Sequence, residues 1–583
     1  MSEPTKKHAH VKLSQWFATA ICGNDILSSS LYVSGIAVLF AGVYAPIVLL
    51  MIGFVLFLYK KVYTEVVEAL PINGGAYNCL LNGTSKIIAA IAGVMTFLSY
   101  IATAVISAKV AVEYVNTVFE VPVIPMTILL LFAFACLVIS GIKDSANVAL
   151  GIFIFHIVSL TSFVALGLIH YLGGNSLIME NLQHTNVIVA NKGGIMMALY
   201  LAFSASLLGV SGFESSANFV EEQDTGVFRK TLRNMLIGVA IFNPLIALVV
   251  VNSMPYETIV ASKDFLLSNA AQVLGGDMYR YMIVADAFLV LSGAVLTSFV
   301  GVSGLLSRMA GDSCLPSFLN SINSKGSYPR IILLFFFLSS SILLATGGDL
   351  LSLAGVYTIA FLGVMSLFAF GNLILKETRT ELKRTYSAPV VVVLLAFFAT
   401  FLGILGNIRI DRQNLIFFEL YFIPSILIVM SIIYMDYIMR FLLRTTRRFP
   451  RINKYIRDHF EDVTDGRFVV FVHHERRLYQ ALNYIDRNET GWNIQLVVCR
   501  STEYKKRDHT YYQLKELLPK LQQAGAFAHF DIKLDYIDED FGPEMIDKAA
   551  KKYKVRKNRM MIGSIHHTHP FDYSDLGGVR IIF

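Results

Sequence analysis

Apolar and polar positions along this chain fall into long blocks, not short periods. Stretches of about 20 apolar residues recur, each long enough to cross the hydrocarbon core of a bilayer as a helix. They predict spans over 16–40, 45–69, 87–117, 124–142, 147–172, 194–222, 234–253, 277–308, 330–346, 349–375, 387–408 and 415–440, twelve in all. Two blocks are interrupted. Span 1 contains GNDILSSS (23–30), and span 6 contains SASLLGVSGFESSANF (204–219). The interruptions stand five spans apart, which predicts an inverted repeat of five helices whose broken first helices meet near the bilayer midplane. Unwound backbone at that depth is tolerated where it lines a cavity.

Beyond Arg448 the pattern changes. Residues 466–476, 492–500, 528–537 and 559–565 read as buried strands, with helical stretches at 510–525 and 543–555. That alternation predicts a parallel α/β domain. The expected division is a membrane domain over 1–448 and a cytoplasmic α/β domain over 449–583.

Composition agrees with the blocks. The chain has 583 residues, 55% hydrophobic and 16% charged, against about 25% charged in soluble proteins. A multi-pass protein of the plasma (inner) membrane is expected. The polar, basic N-terminus lacks a small-residue cleavage site, so it does not read as a cleaved signal peptide. The net charge of +7 sits in loops and tail and needs no nucleic acid as partner. Lys6, Lys7 and Lys12 precede span 1, and Arg229, Lys230 and Arg233 follow span 6. Arg308 and Arg330 bracket the loop after span 8. Lys376, Arg379, Lys383 and Arg384 follow span 10, and Arg440, Arg444, Arg447 and Arg448 follow span 12. With twelve spans all of these share one side, so both termini are expected in the cytoplasm.

Cys22, Cys79, Cys136, Cys314 and Cys499 form no spaced pair, so neither a disulfide framework nor a zinc site is indicated. No G-x-x-x-x-G-K-[ST] stretch marks a nucleotide motor, and no Ser/His/Asp or H-E-x-x-H arrangement marks an enzyme. The expectation is a non-enzyme without cofactor or resident metal, driven by an ion gradient.

The sharpest chemical anomaly is Asp25, followed by Ser28, Ser29 and Ser30, inside an apolar block. A carboxylate at mid-bilayer costs a few kcal/mol or more. It is either part of a binding site or the cap of a half-helix starting near Ser28.

Three loop motifs resemble the amino acid–polyamine–organocation (APC) superfamily: EVVEALPINGGAYN (65–78), GFESSANFVEEQDTGVFRKTLRNM (212–235) and SRMAGDSCLPSFLNSINSKGSYPRI (307–331). The fold this implies is the leucine-transporter type, an inverted five-helix repeat with two extra helices. Permeases of that superfamily usually carry G-S-G in helix 1, where this chain has Ser28-Ser29-Ser30. The D-I-L-S-S-S-L-Y stretch from Asp25 to Tyr32 is similar to helix 1 of Kup/KimA-type potassium uptake permeases. That resemblance brings in Tyr100 and Thr103, as Y-x-x-T of helix 3, and Ser211 and Glu214 of helix 6. It implies a potassium site of Asp25, the Tyr32 and Tyr100 hydroxyls, Thr103, Ser211 and nearby carbonyls. Each has a plainer reading. The tyrosines pack, Thr103 and Ser211 bond their own helices, and Glu214 caps a half-helix instead of serving as a site carboxylate or proton carrier.

His156 stands eleven residues after Ser145, where similar proton-coupled permeases carry a lysine. With Asp286 of span 8 as partner, and with Asp25, it reads as a proton-coupling site, or else as a core histidine beside a solvated outer charge. Lys109 is expected to pair with Glu113 or to snorkel. The tail resembles universal-stress-protein domains in strand order and in MIGS (561–564). GSIHHTHPFDYSDLGG departs from their glycine-rich nucleotide loop, and His566, His567 and His569 there read as a solvated loop or a metal site. By the same analogy the tail is expected to offer a homodimer surface.

The reading is a proton-coupled transporter of a small cation, potassium first. Its rivals are an amino acid or polyamine permease, and a ligand sensor without net flux.

Overall fold

The protein is described here as a computed structural model covering residues 12–71, 73–141, 146–380, 382, 384–455, 467–472, 475–489, 493–500, 507–523, 527–563, 576 and 579–582. Ser145 and the three histidines at 566–569 lie outside the described residues. The chain divides into two compact units.

The first unit comprises Met1–Cys79, Ile91–Arg308 and Phe318–Ser425. It is helical because a chain in lipid must satisfy its backbone internally. Its helices begin with α1 (Gln15–Ser28), α2 (Ser30–Ala41), α3 (Ala45–Ala69), α4 (Gly75–Gly83), α5 (Lys86–Asn116) and α6 (Val123–Ile139). Then come α7 (Ala146–Leu172), α8 (Ile178–Asn191), α9 (Ile195–Ser206), α10 (Val227–Ser253), α11 (Tyr256–Ala261) and α12 (Leu266–Gly311). α13 (Pro329–Ala345), α14 (Leu350–Thr378), α15 (Val390–Ile410) and α16 (Arg412–Ile433) follow, and α17 (Met435–Thr445) belongs to the second unit. Among the described residues nine helical segments are long and apolar enough to cross a membrane, Gln15–Ala69 counting as one. Val123–Ile139 and Pro329–Ala345 are apolar but shorter. The protein is an integral membrane protein.

The predicted spans fall close to these helices, with three differences. The break in span 1 is confined to one residue, Ser29, whose backbone is itself near-helical (φ −64, ψ −24). The serines tighten the turn instead of unwinding it, as their hydroxyls donate to the carbonyls three residues back (Ser28 to Asp25, Ser29 to Ile26, Ser30 to Leu27, 2.6–2.7 Å). The span 6 break is wider. α9 ends at Ser206, and short 3-10 turns run over Leu207–Val210 and Phe213–Asn218 on either side of Ser211 and Gly212. Span 8 starts earlier than predicted, as Leu266–Gly311 with a kink at Gly276 (φ +75), a conformation that suits glycine alone.

The second unit comprises Leu80–Ala90, Met309–Ser317 and Ile426–Phe583. Its strands are β1 (Phe468–Phe471), β2 (Asn493–Arg500), β3 (Asp531–Asp540), β4 (Met560–Ile562) and β5 (Arg580–Ile581), and its further helices are α18 (Glu475–Asn488), α19 (Arg507–Gln523) and α20 (Pro543–Tyr553). The strands pair in parallel in the order β3-β2-β1-β4-β5. β1 and β2 are buried on both faces, which explains their unbroken apolar runs. β3 has exposed and half-buried positions and none fully buried, as befits an edge strand. Val470, Leu496, Met561 and Ile582 of the sheet pack with Leu478, Leu482, Ile485 and Leu514 of the helices.

A buried ion cluster lies within this unit. Arg580, on β5, has its Nε 2.9 Å from Asp312 Oδ1 and its terminal nitrogen 2.5 Å from Glu489 Oε1. The same nitrogen donates to Tyr484 OH (3.2 Å). Lys86 Nζ stands 3.4 Å from Glu489, and its backbone N–H donates to Asn488 Oδ1 (3.0 Å). Desolvation alone pushes the Arg580 guanidinium down, but Glu489, Tyr484 and Asp312 outweigh it and hold it above its ordinary value.

Candidate functional site

Where the two interrupted helices meet, Asp25 faces the turn after Gly212. Gly212 has φ +85, and a Cβ there would lie 2.7 Å from Asp25 Cγ and 2.9 Å from Ile26 N. Both the backbone angle and the close approach therefore require glycine. The Ser215 hydroxyl donates to Asp25 Oδ2, while Asp25 Oδ1 is buried without a hydrogen-bond partner among the described residues. Ser29 ties the helices together a turn away, its hydroxyl also reaching Gly209 O (3.3 Å).

Around this carboxylate the structure gathers most of the residues singled out by sequence. Glu214 lies within electrostatic reach of Asp25, and its Oε2 is buried with no hydrogen-bond partner among the described residues. Tyr32 and Tyr100 are buried (3% and 8% exposed) and feel the Asp25 charge. Asn218 Nδ2 donates to Tyr100 OH (2.5 Å), and the Tyr100 ring packs against Gly301 of α12. Ser211 is buried in the break. Thr103 hydrogen-bonds the Ser99 carbonyl of its own helix (2.9 Å), so its hydroxyl proton is already committed. The hydroxyl protons of Ser28, Ser29 and Ser30 are committed in the same way.

His156 and Asp286 form a second, fully buried group. His156 Nδ1 stands 2.8 Å from Asp286 Oδ2, with both side chains at 0% exposure. The other ring nitrogen is 3.3 Å from Leu27 O, in α1 just before its break. Leu27 O can only accept, so that ring nitrogen carries hydrogen, while one proton is shared between Nδ1 and Asp286 Oδ2. Asp286 Oδ1 is buried with no hydrogen-bond partner among the described residues.

Sequence reasoning missed several neighbours. Ser215 was hidden in a polar run where nothing separates it from Ser216. Tyr357 is fully buried beside Ser211, within reach of the Glu214 and Asp25 carboxylates; an apolar span gave no signal for it. Lys109 pairs with Glu113 (3.2 Å) as expected and also with Asp264. Glu65 of α3 is buried, 3.0 Å from Lys376 Nζ and 3.5 Å from Arg384 Nε, and accepts the Ala388 N–H (2.9 Å). No cluster of three metal-ligating side chains occurs among the described residues.

Apolar helices broken around buried carboxylates define a membrane transport protein. The amino acid permease family matches over residues 13–433, and the chain belongs to that family, within the APC superfamily. It is similar to the potassium transporter KimA of Bacillus subtilis, at 22% identity over 62% of this chain and 61% of that one. It is also similar to the human b(0,+)-type amino acid transporter 1, at 27% identity over 50% of this chain and 60% of that one. The chain thus spans about six-tenths of the length of these curated relatives. Among solved structures, a manganese transporter of Eremococcus coleocola aligns over 74% of this chain and 96% of that one, with 10% identity and a TM-score of 0.45.

Proposed function

We propose that this chain is a proton-coupled secondary transporter that takes up a small cation, potassium first. The observation that carries the reading is Asp25 Oδ1, a buried carboxylate oxygen with no hydrogen-bond partner among the described residues, at the meeting point of two helix breaks. A fixed negative charge there attracts a cation and repels the carboxylate of an amino acid. Potassium needs several oxygen ligands and little net charge, so that it can leave again. The Tyr32, Tyr100 and Tyr357 hydroxyls and Ser211 supply neutral oxygens around the Asp25 carboxylate. Glu214 is the second carboxylate and a proton carrier. The proton drive acts at His156 and Asp286. Moving the proton shared by His156 and Asp286 changes the contact between His156 and Leu27 O, and so loosens α1 beside Asp25.

The same reading has twelve spans in a 5+5 inverted repeat plus two, both termini on the cytoplasmic side of the plasma (inner) membrane, and no enzymatic chemistry or cofactor. The tail is a regulatory α/β domain resembling universal stress proteins, with self-association through it. A second reading, an amino acid or polyamine permease, is favoured by the family match and by the human relative. A polyamine would also welcome Asp25.

The test is uptake by purified protein in liposomes under an inward proton gradient, with Asp25→Asn beside wild type. Potassium uptake that Asp25→Asn abolishes is the expected result. Wild-type liposomes that carry an amino acid or polyamine and no potassium overturn the potassium reading.

A further inference from the structure

We infer that Ser215 is a positioning residue that makes Asp25 a one-oxygen ligand and thereby sets selectivity for monovalent over divalent cations. The inference rests on the reading of Asp25 as the substrate's carboxylate. A carboxylate can offer both oxygens to a cation. A bidentate grip brings more charge to one ion and suits divalent cations such as calcium. Here Oδ2 already accepts the Ser215 hydroxyl, and Oδ1 alone is unengaged.

The clamp is built from three sides. Ser215 and Asp25 are both buried (9% and 6% exposed). The Ser215 backbone N–H donates to Gly212 O (3.2 Å), which fixes the turn that aims the hydroxyl. Gly212 closes the remaining side, as even a methyl group there would strike Asp25 Cγ. The carboxyl group is thus held with its second oxygen on Ser215. One oxygen of one carboxylate is a weak enough hold for a monovalent ion to be released.

Ser215→Ala removes the donor and frees Oδ2. Potassium KM then falls about tenfold, as the second carboxylate oxygen joins the hold, and Vmax falls with the slower release. Inhibition of uptake by divalent calcium or manganese becomes stronger than in wild type. Ser215→Thr, which keeps the donor, restores the wild-type KM. A merely structural role predicts lost protein or a raised KM and no gain in divalent inhibition. Unchanged KM and divalent inhibition in Ser215→Ala, with Asp25→Asn inactive, overturns the inference and leaves the reading of Asp25 standing. Normal potassium uptake by Asp25→Asn overturns both. A wild-type measurement covers the case in which Ser215→Ala does not fold. The potassium-induced infrared difference spectrum, with its Asp25 bands identified by their absence in Asp25→Asn, should show the wide carboxylate splitting of one-oxygen binding. A narrow, bidentate splitting overturns the inference.

Discussion

Arg580→Met keeps a long unbranched side chain and deletes the guanidinium that faces Asp312, Glu489 and Tyr484. Two buried carboxylates are then left in the cluster with Lys86, whose Nζ is 3.4 Å from Glu489. Arg580 and Glu489 are each about 2% exposed and Asp312 1%, so water does not replace the lost charge. Removing one member of a buried pair costs about 3–5 kcal/mol, a large part of the roughly 5–15 kcal/mol that holds a domain folded. At 1.4 kcal/mol per tenfold, a loss of about 4 kcal/mol raises the open population about a thousandfold. Amide hydrogen exchange on the full-length protein reads this directly: Val470 of β1 and Met561 of β4 should exchange about a thousandfold faster. Exchange at the wild-type rate refutes the reasoning. Neutralising the whole cluster (Lys86→Met, Asp312→Asn, Glu489→Gln and Arg580→Met together) should recover most of the loss, because a neutral isosteric set carries no buried charge. The Arg580 value is raised on folding. Its contribution is therefore fully present below the ordinary arginine value, is lost only as pH rises through the folded one, and leaves neutral pH unaffected.

Two further outcomes follow from other residues. His156→Gln keeps one donor and one acceptor but cannot carry the proton, so proton-driven uptake in liposomes should fall to background while potassium exchange at equal pH on both sides persists; intact proton-driven accumulation would remove His156 from the coupling path. Desolvation raises the Asp535 carboxyl, but hydrogen bonds from Lys552 (2.8 Å) and Tyr553 (2.7 Å) outweigh it and hold it below the usual carboxylate range. A lowered value stabilises above the unfolded value of roughly 3.9 and is lost as pH falls through the folded one. The stability advantage of wild type over Asp535→Asn, read by thermal unfolding, should hold at neutral pH and vanish in strong acid.

Much of the fold was legible because lipid imposes a length rule that water does not. The predicted span over 45–69 coincides with Ala45–Ala69 of α3, since nothing but apolar run length decides it. The breaks were legible as polar residues that lipid would otherwise exclude. Their extent was not. Serine hydroxyls at 28–30 keep α1 nearly continuous, whereas Gly212 lets the chain turn sharply in span 6, and both read simply as polar interruptions. His156 and Asp286 were paired from their spans, because an intramembrane charge needs a partner. Ser215 and Tyr357 were not found, since a hydroxyl's role depends on which way one helical turn faces. β5 was invisible for its length of two residues. Arg580 within VRIIF was a signal nonetheless, because an arginine in a buried strand demands counter-charges. Those charges are Glu489, 91 residues away in sequence, and Asp312, from a segment hundreds of residues away.

β3 has one further consequence, for crowding between molecules. Its ten residues, DIKLDYIDED, hold five carboxylates and one lysine. A second copy laid alongside this strand would bring five more carboxylates within one strand spacing, about 4.8 Å. The outer edge of that strand is thus fenced by its own charge, and the fence weakens as salt shortens the Debye length from about 10 Å at 0.1 M. Pairing of two copies along this long strand is therefore disfavoured at low salt.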